Sequence, residues 1–301
     1  MLETRAEPNA VKGILLVVLA TLFFASGDVL TKQLATLYGV ALVVAMRYGV
    51  NVGILGVALG PRMGKSLWAT NRTLLVFLRG LCLAAASLTM ALALRLMPVG
   101  ETVAIVYLAP IAVMIFAAVL LGERVSPVGW MAAMAGFGGV LLIVRPGTGL
   151  DPVGVTLALI NAGLSTTYHL LTRVLARTET TLSMLFNTAV VGTVAFWALM
   201  PFQPPLATPS LADFGLMVVV GVAMTAGHFL FTAAYREAPA SVLAPVNYLH
   251  LVWAAILGWL VFGHVPDPVT GIGMGLVTAA GVAVALRAQF GRKVPEIEGE
   301  A

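Results

Sequence analysis

The stretch Pro98–Gly122, PVGETVAIVYLAPIAVMIFAAVLLG, returns with its landmarks intact 141 positions later as Pro239–Gly263. Pro98 answers to Pro239, Tyr107 to Tyr248, Leu108 to Leu249, Ile115 to Ile256, Gly122 to Gly263 and Pro127 to Pro268. The same offset pairs Gly13 with Gly154, Lys32 with Arg173, Gly80 with Gly221 and Arg95 with Arg236, without a gap. Apolar segments resemble one another by composition alone, so the unbroken register is what argues for an internal duplication. Any fold for this chain has to be built from two copies of one unit, with function expected where the copies meet.

Each copy is made of apolar runs long enough, at about 1.5 Å per residue, to cross a bilayer as helix. With 60% hydrophobic and 10% charged residues, the chain sits far from soluble domains, where about 25% are charged. Ten spans are expected, at about 13–33, 39–60, 72–94, 98–121, 127–145, 153–173, 181–200, 211–235, 239–262 and 268–287. The expected fold is an all-α integral membrane protein of ten transmembrane helices, arranged as five-helix repeats over 13–145 and 153–287. Residues 1–12 and 288–301 read as loose polar ends. Five is odd, so the second copy enters from the opposite face and the repeats are inverted. One set of loops and ends carries twelve basic residues against three on the other. The positive-inside bias therefore puts both termini in the cytoplasm.

Several classes of function fall away. Apolar runs recur to Leu286, so a signal peptide before a globular domain does not fit. A single cysteine, Cys82, in an apolar run permits no internal disulfide and argues against a cysteine metal site. The formal charge of +4 comes with no basic cluster, so no nucleic-acid partner is expected. No HExxH, Walker loop or GxSxG is present, and His264–Asp267 and His169–Glu179 lack metal-site spacing, so no catalytic residue, metal or cofactor is expected. Small residues four apart, Ala132/Gly136 and Ala135/Gly139 in span five and Gly271/Gly275/Ala279 in span ten, fit packing within a monomer or a weak homodimer seam.

Polar groups inside lipid-facing spans mark function or pairing. Asp28 reads as a rim residue paired with Lys32 or Arg47, or as a proton or substrate carboxylate site. Arg79 snorkels to lipid phosphates or attracts an anionic group, and Glu101 faces water, carries a proton or balances a substrate ammonium. Nearer the midplane stand Tyr107 and Pro110 in span four, Asn161 and Tyr168 in span six, His228 in span eight, and Asn247, Tyr248 and His250 in span nine. These aromatic, amide and imidazole groups suit a ligand that is part apolar and part zwitterionic. Pro110 and Pro245 stand at unrelated repeat positions, so the two copies are expected to kink differently.

The pattern P…LLGE…G…GG, on Pro110, Leu120, Leu121, Gly122, Glu123, Gly129, Gly138 and Gly139, resembles the EamA branch of the drug/metabolite transporter superfamily. The likeness extends over nearly all of the chain after residue 12, although Glu123 is answered by His264 in the second copy. It implies a bacterial cytoplasmic (inner) membrane location. It also implies a central cavity enclosed by helices one, three, four, six, eight and nine, and ATP-independent movement of a small-molecule substrate by alternating access. Export of aromatic or large hydrophobic amino acids is the expectation, after the aromatic amino acid exporters of that branch. Transport of a nucleoside-like compound, vitamin or drug, or a non-transporting membrane scaffold, is the alternative. Facilitated diffusion and proton coupling both fit, with Glu101, Asp28 and His250 as the candidate carriers.

Overall fold

In hydrocarbon no water is available to satisfy peptide groups, so a chain of this composition closes its hydrogen bonds within helices. The computed structural model describes residues 10–109, 111–112, 115–116, 127–145, 149–175, 178–202, 208–237, 243 and 246–290. Among them ten α-helices follow one another: α1 (Ala10–Tyr38), α2 (Val40–Met63), α3 (Thr73–Leu96), α4 (Val99–Val106), α5 (Pro127–Val144), α6 (Pro152–Leu175), α7 (Thr181–Leu199), α8 (Leu211–Glu237), α9 (Leu249–Phe262) and α10 (Pro268–Phe290). Five of these, α1, α2, α3, α7 and α8, are long and apolar enough to cross a membrane; α5, α9 and α10 hold shorter apolar stretches. Prolines open α5, α6 and α10 and precede α4 at Pro98, positions where a missing N–H costs little. Large apolar side chains such as Phe137, Val194, Phe229 and Ile272 are exposed on the outside of the bundle. A water-soluble fold would bury them; a lipid-facing surface does not need to.

The packing joins the halves rather than keeping them apart. Exchanging the halves, α1 with α6 and so on to α5 with α10, maps the contact α1·α8 onto α3·α6, α2·α8 onto α3·α7, and α1·α9 onto α4·α6. All six contacts occur, and α2·α7, α4·α9 and α5·α10 map onto themselves. The result is an all-α, membrane-like bundle whose long-range contacts suggest inverted-repeat packing. Its main apolar core reflects this mixing, bringing Val103 and Ile105 of α4 against Leu251 and Ala254 of α9.

Small residues set the closest of these contacts. A Cβ on Gly139 of α5 would stand 2.7 Å from the Gly273 carbonyl oxygen, and one on Gly273 of α10 would stand 2.6 Å from that of Gly139. The two backbones thus touch, as small-residue interfaces allow. Gly136 and Gly139 serve packing inside the monomer, while Gly271 and Gly275 have no neighbour within 4 Å of a built Cβ. The second-copy stripe expected from spacing is therefore not the one used against α5; Gly273 lies between its members.

The motif residues Leu120–Glu123, together with Pro110 and Pro245, lie outside the described residues. The helices around the two prolines are nevertheless informative. Helix α4 ends at Val106 and turns at Tyr107–Leu108, and α9 begins at Leu249 directly after a turn at Tyr248. Three-residue bonds, Leu108 N–H to the Ile105 carbonyl and Leu251 N–H to the Tyr248 carbonyl, both 3.1 Å, tighten the two turns. The interruptions thus fall at equivalent positions, 107 and 248, while their three-residue bonds are offset by two positions, so the two turns are closed differently. The second copy has Leu251 where the first has Pro110. The break therefore belongs to the repeat and not to one proline.

Outside the helices, Asp267 caps α10 by accepting from the Val269 and Thr270 amides at 3.0 and 3.2 Å, and it receives Arg145 at 2.6 Å from the end of α5. The Thr270 hydroxyl, then the Arg145 guanidinium, hold its carboxyl well below the usual carboxylate range. A depressed folded-state value means the group stabilises above its ordinary value of 3.8 and loses that contribution as pH falls through the folded one. Asp267→Ala is accordingly expected to melt below wild type at pH 7. The gap should narrow steadily below pH 3.8, as read by a detergent melting series.

Candidate functional site

The interrupted helices leave main-chain carbonyls without helical partners, and the site is built on one of them. The Tyr107 hydroxyl donates to the Asn247 carbonyl at 3.0 Å, so the break in α4 is bonded to the chain entering α9. The Tyr107 and Tyr248 rings meet edge to face, centroids 4.9 Å apart, and the His250 ring stands 5.8 Å from Tyr107. His250 Nε2 lies 3.1 Å from Asp28 Oδ2, with both side chains largely withdrawn from solvent. Phe24, one turn before Asp28 on α1, packs 6.1 Å from His250 and 4.9 Å from His228 of α8. Tyr107, Asn247, Tyr248, His250 and Asp28 therefore form one group, reached through Phe24 by His228. The Tyr248 hydroxyl lies against Gly281 of α10, buried with no hydrogen-bond partner among the described residues.

Asp28 was expected at a rim with Lys32 or Arg47, and both expectations are corrected. Helix α1 runs on to Tyr38 rather than ending near residue 33, so Asp28 stands ten residues, about 15 Å, inside it. Lys32 instead donates to the Leu94 and Met97 carbonyls at 2.5 and 2.6 Å, closing the C-terminal end of α3. Arg47 donates to the Ser87 hydroxyl at 2.7 Å and stacks on the Tyr48 ring.

A second polar group surrounds Arg79. Its guanidinium donates to Thr172 at 2.7 Å, Tyr168 at 2.6 Å, Thr188 at 2.7 Å and the Met184 carbonyl at 3.1 Å. The residue is only 3% exposed, so it does not snorkel. It ties α3 to α6 and α7 with no carboxylate in salt-bridge range among the described residues. Asn161 donates to the Ala86 carbonyl of α3 at 2.5 Å and accepts from Ser165. Asn161 and Tyr168 thus belong to the α3–α6 seam and not to the tyrosine pair. Thr172 was missed from the sequence, although it lies one turn after Tyr168 and so on the same face. Thr188 was missed too; nothing in the spacing points to it. Because Arg79 fills a forked set of acceptors, Arg79→Lys should destabilise the protein by about 1.5–3 kcal/mol for each charged bond lost, read by denaturant unfolding in micelles.

Glu101 was expected in water, but it is 3% exposed and its Oε1 lies 2.7 Å from His264 Nε2, beyond the end of α9. At the opposite end of the bundle Lys12 of α1 meets Glu237 of α8 at 2.6 Å. There too Glu179 accepts from the backbone amides of Asn71 and Arg72. Each end is thus bridged between the two halves. Cavities among the described residues include three of about 270, 330 and 320 Å³. None is lined by Tyr107, Asn161, Tyr168, Asn247, Tyr248 or His250; His228 lines the lateral one of 330 Å³, between α2, α7 and α8. The tyrosine–histidine group itself borders none of these three.

The profile of the EamA-like transporter family matches twice, over residues 11–145 and 152–286. The chain belongs to the EamA-like transporter family. Its members are transporters and not enzymes, so the chain is a multi-pass membrane transporter of small metabolites. EamA relatives include a riboflavin transporter of Rhizobium johnstonii, 28% identical over 198 residues, 64% of this chain and 63% of that protein's length. A pseudopaline exporter of Pseudomonas aeruginosa is 26% identical over 277 residues, 90% of this chain and 95% of its own. An S-adenosylmethionine uptake transporter of Rickettsia prowazekii is 29% identical over 208 residues, 69% and 70% of the two chains. A solved crystal structure superposes with a TM-score of 0.62 over 94% of this chain and 97% of its own, at 21% identity, a likeness of fold alone.

Proposed function

We propose that this EamA chain is a secondary transporter of ten membrane-crossing helices, in which inverted repeats over 13–145 and 153–287 rock around the group formed by Asp28, Tyr107, Asn247, Tyr248 and His250. The observation that carries the reading is the bond between Tyr107 and the Asn247 carbonyl. It sits at breaks in equivalent helices of the two halves, the arrangement in which transporters with inverted repeats bind cargo. Bridges at both ends fit a closed intermediate, and alternating access opens one end at a time. The loop charges support cytoplasmic termini in a bacterial inner membrane.

The cargo is a small metabolite with an aromatic or apolar body and at least one polar or charged group. Two tyrosine rings and an aspartate–histidine pair offer stacking beside a site for a cation or hydrogen-bond donor. Relatives named for riboflavin, pseudopaline and S-adenosylmethionine support this broad class and include both uptake and export. Export of aromatic amino acids is the second reading, favoured by the tyrosine pair. Arg79 and Asn161 support the helix seam beside the site and need not touch cargo.

Purified protein in liposomes should speed equilibration of at least one labelled compound from a panel of riboflavin, S-adenosylmethionine, aromatic amino acids and nucleosides. Alanine at Tyr107 or His250 should then slow it, and alanine at Asn247, which keeps the carbonyl that Tyr107 meets, tests the amide side chain separately. Undiminished flux in all three variants would place the site elsewhere, and no flux for any compound would favour a non-transporting scaffold.

A further inference from the structure

The bridge between Glu101 and His264 borders the cavity of about 270 Å³ at the end where α1 finishes, between α1, α4 and α9. Its walls are mostly apolar, with Met97, Val99 and Phe262 prominent, and its charged groups are Lys32, Glu101 and His264. His264 engages only Oε1 of Glu101, while Oε2 is buried with no hydrogen-bond partner among the described residues. A carboxylate oxygen removed from water without a donor is costly, and because this one is closed to the cavity as well, a small turn of the Glu101 carboxyl has to present it to a ligand. Lys32 has three N–H donors and spends two, on Leu94 and Met97. Its ammonium stands 5.5 Å from the centre of the Phe262 ring and within electrostatic reach of Glu101. The first turn of α4, whose Val99 and Gly100 line the same cavity, presents helix-start amides that favour negative charge.

We propose that this cavity is a second binding site, for a zwitterion of amino-acid size whose ammonium group meets Glu101 and whose carboxylate meets Lys32 and the start of α4. An acceptor lacking a donor and a cation with a donor to spare, in one apolar pocket, match the two ends of an α-amino acid. The volume lies just under the ~300–1,000 Å³ usual for small-molecule sites, which suits a ligand of amino-acid size. The site is separate from the tyrosine–histidine group and does not require it for binding.

Equilibrium binding of labelled L-phenylalanine and L-leucine to the purified full chain in micelles tests this directly. At least one should bind wild-type protein. Of the matched truncations, phenethylamine keeps the ammonium and 3-phenylpropionate the carboxylate, and each should bind at least about tenfold more weakly than phenylalanine. Glu101→Gln should weaken binding by a similar factor at an unchanged melting temperature, and Gly275→Ala, where nothing lies within 4 Å of a built Cβ, should retain it. The truncations are compared on wild-type protein, so a poorly folded variant does not decide the outcome. The proposal is overturned if neither amino acid binds. It also falls if the truncations bind as well as phenylalanine, or if folded Glu101→Gln binds as wild type does. Cargo flux in the liposome panel is scored apart, so either reading can fail alone.

Discussion

Asp28→Asn is expected to cut cargo flux about 10- to 100-fold, the range for losing one hydrogen bond to a charged group in a closed site. Asparagine has nearly the same shape and keeps an oxygen facing His250 Nε2, which lies 3.1 Å from the carboxylate. The fold should therefore persist, and the melting temperature in micelles should hold or rise, since an ionisable group inside a membrane bundle is costly to keep. What is lost is the capacity to carry charge beside the tyrosine pair. The readout is initial flux of the cargo found in the panel, at matched amounts of reconstituted protein. Wild-type flux in a folded Asp28→Asn protein would remove Asp28 from the cargo site and leave the pair a structural bond.

Gly139→Val should have the largest effect on folding. A Cβ there meets the Gly273 carbonyl oxygen at 2.7 Å, Val277 at 3.0 Å and Leu276 at 3.1 Å. The first of these is backbone and cannot rotate away. Ordinary overpacking costs about 1–3 kcal/mol, and prying α5 from α10 also surrenders the contacts along that seam. The expected outcome is loss of the monodisperse folded protein on size exclusion, or a large drop in melting temperature. Gly275→Ala is the matched control, since nothing lies within 4 Å of a Cβ built there. It should be neutral or slightly stabilising, because alanine favours helix by up to about 1 kcal/mol over glycine. A tolerated Gly139→Val would mean that α5 and α10 are not packed as described.

The membrane character and the duplicated plan were legible because they depend on the period and register of apolar residues, which local sequence carries directly. The site was legible in its members more than in its partnerships. Tyr107, Asn247, Tyr248 and His250 stood out as polar groups in the middle of apolar spans. The link from His250 to Asp28 joins residues 222 apart, and no spacing rule reaches that far. Asp28 looked peripheral because the end of α1 was drawn five residues short, and helix ends are where sequence patterns are weakest. Arg79 shows the complementary failure. Snorkelling is the cheaper fate for one isolated helix, and only the acceptors brought over by α6 and α7, the hydroxyls of Tyr168, Thr172 and Thr188 and the Met184 carbonyl, make full burial possible. Pro110 and Pro245 differ in repeat position while the turns at 107 and 248 do not, so the prolines alone did not locate the breaks.

Counterflow in liposomes tests alternating access around this site most directly. Vesicles are loaded with a high concentration of unlabelled cargo and diluted into a trace of label, with no ATP and no ion gradient. A carrier that returns loaded should concentrate the label inside transiently, above its outside level, before both equalise; wild-type protein is predicted to show this overshoot and Asp28→Asn to lack it. Label that rises monotonically to equilibrium with no overshoot would describe an open pore and contradict the account.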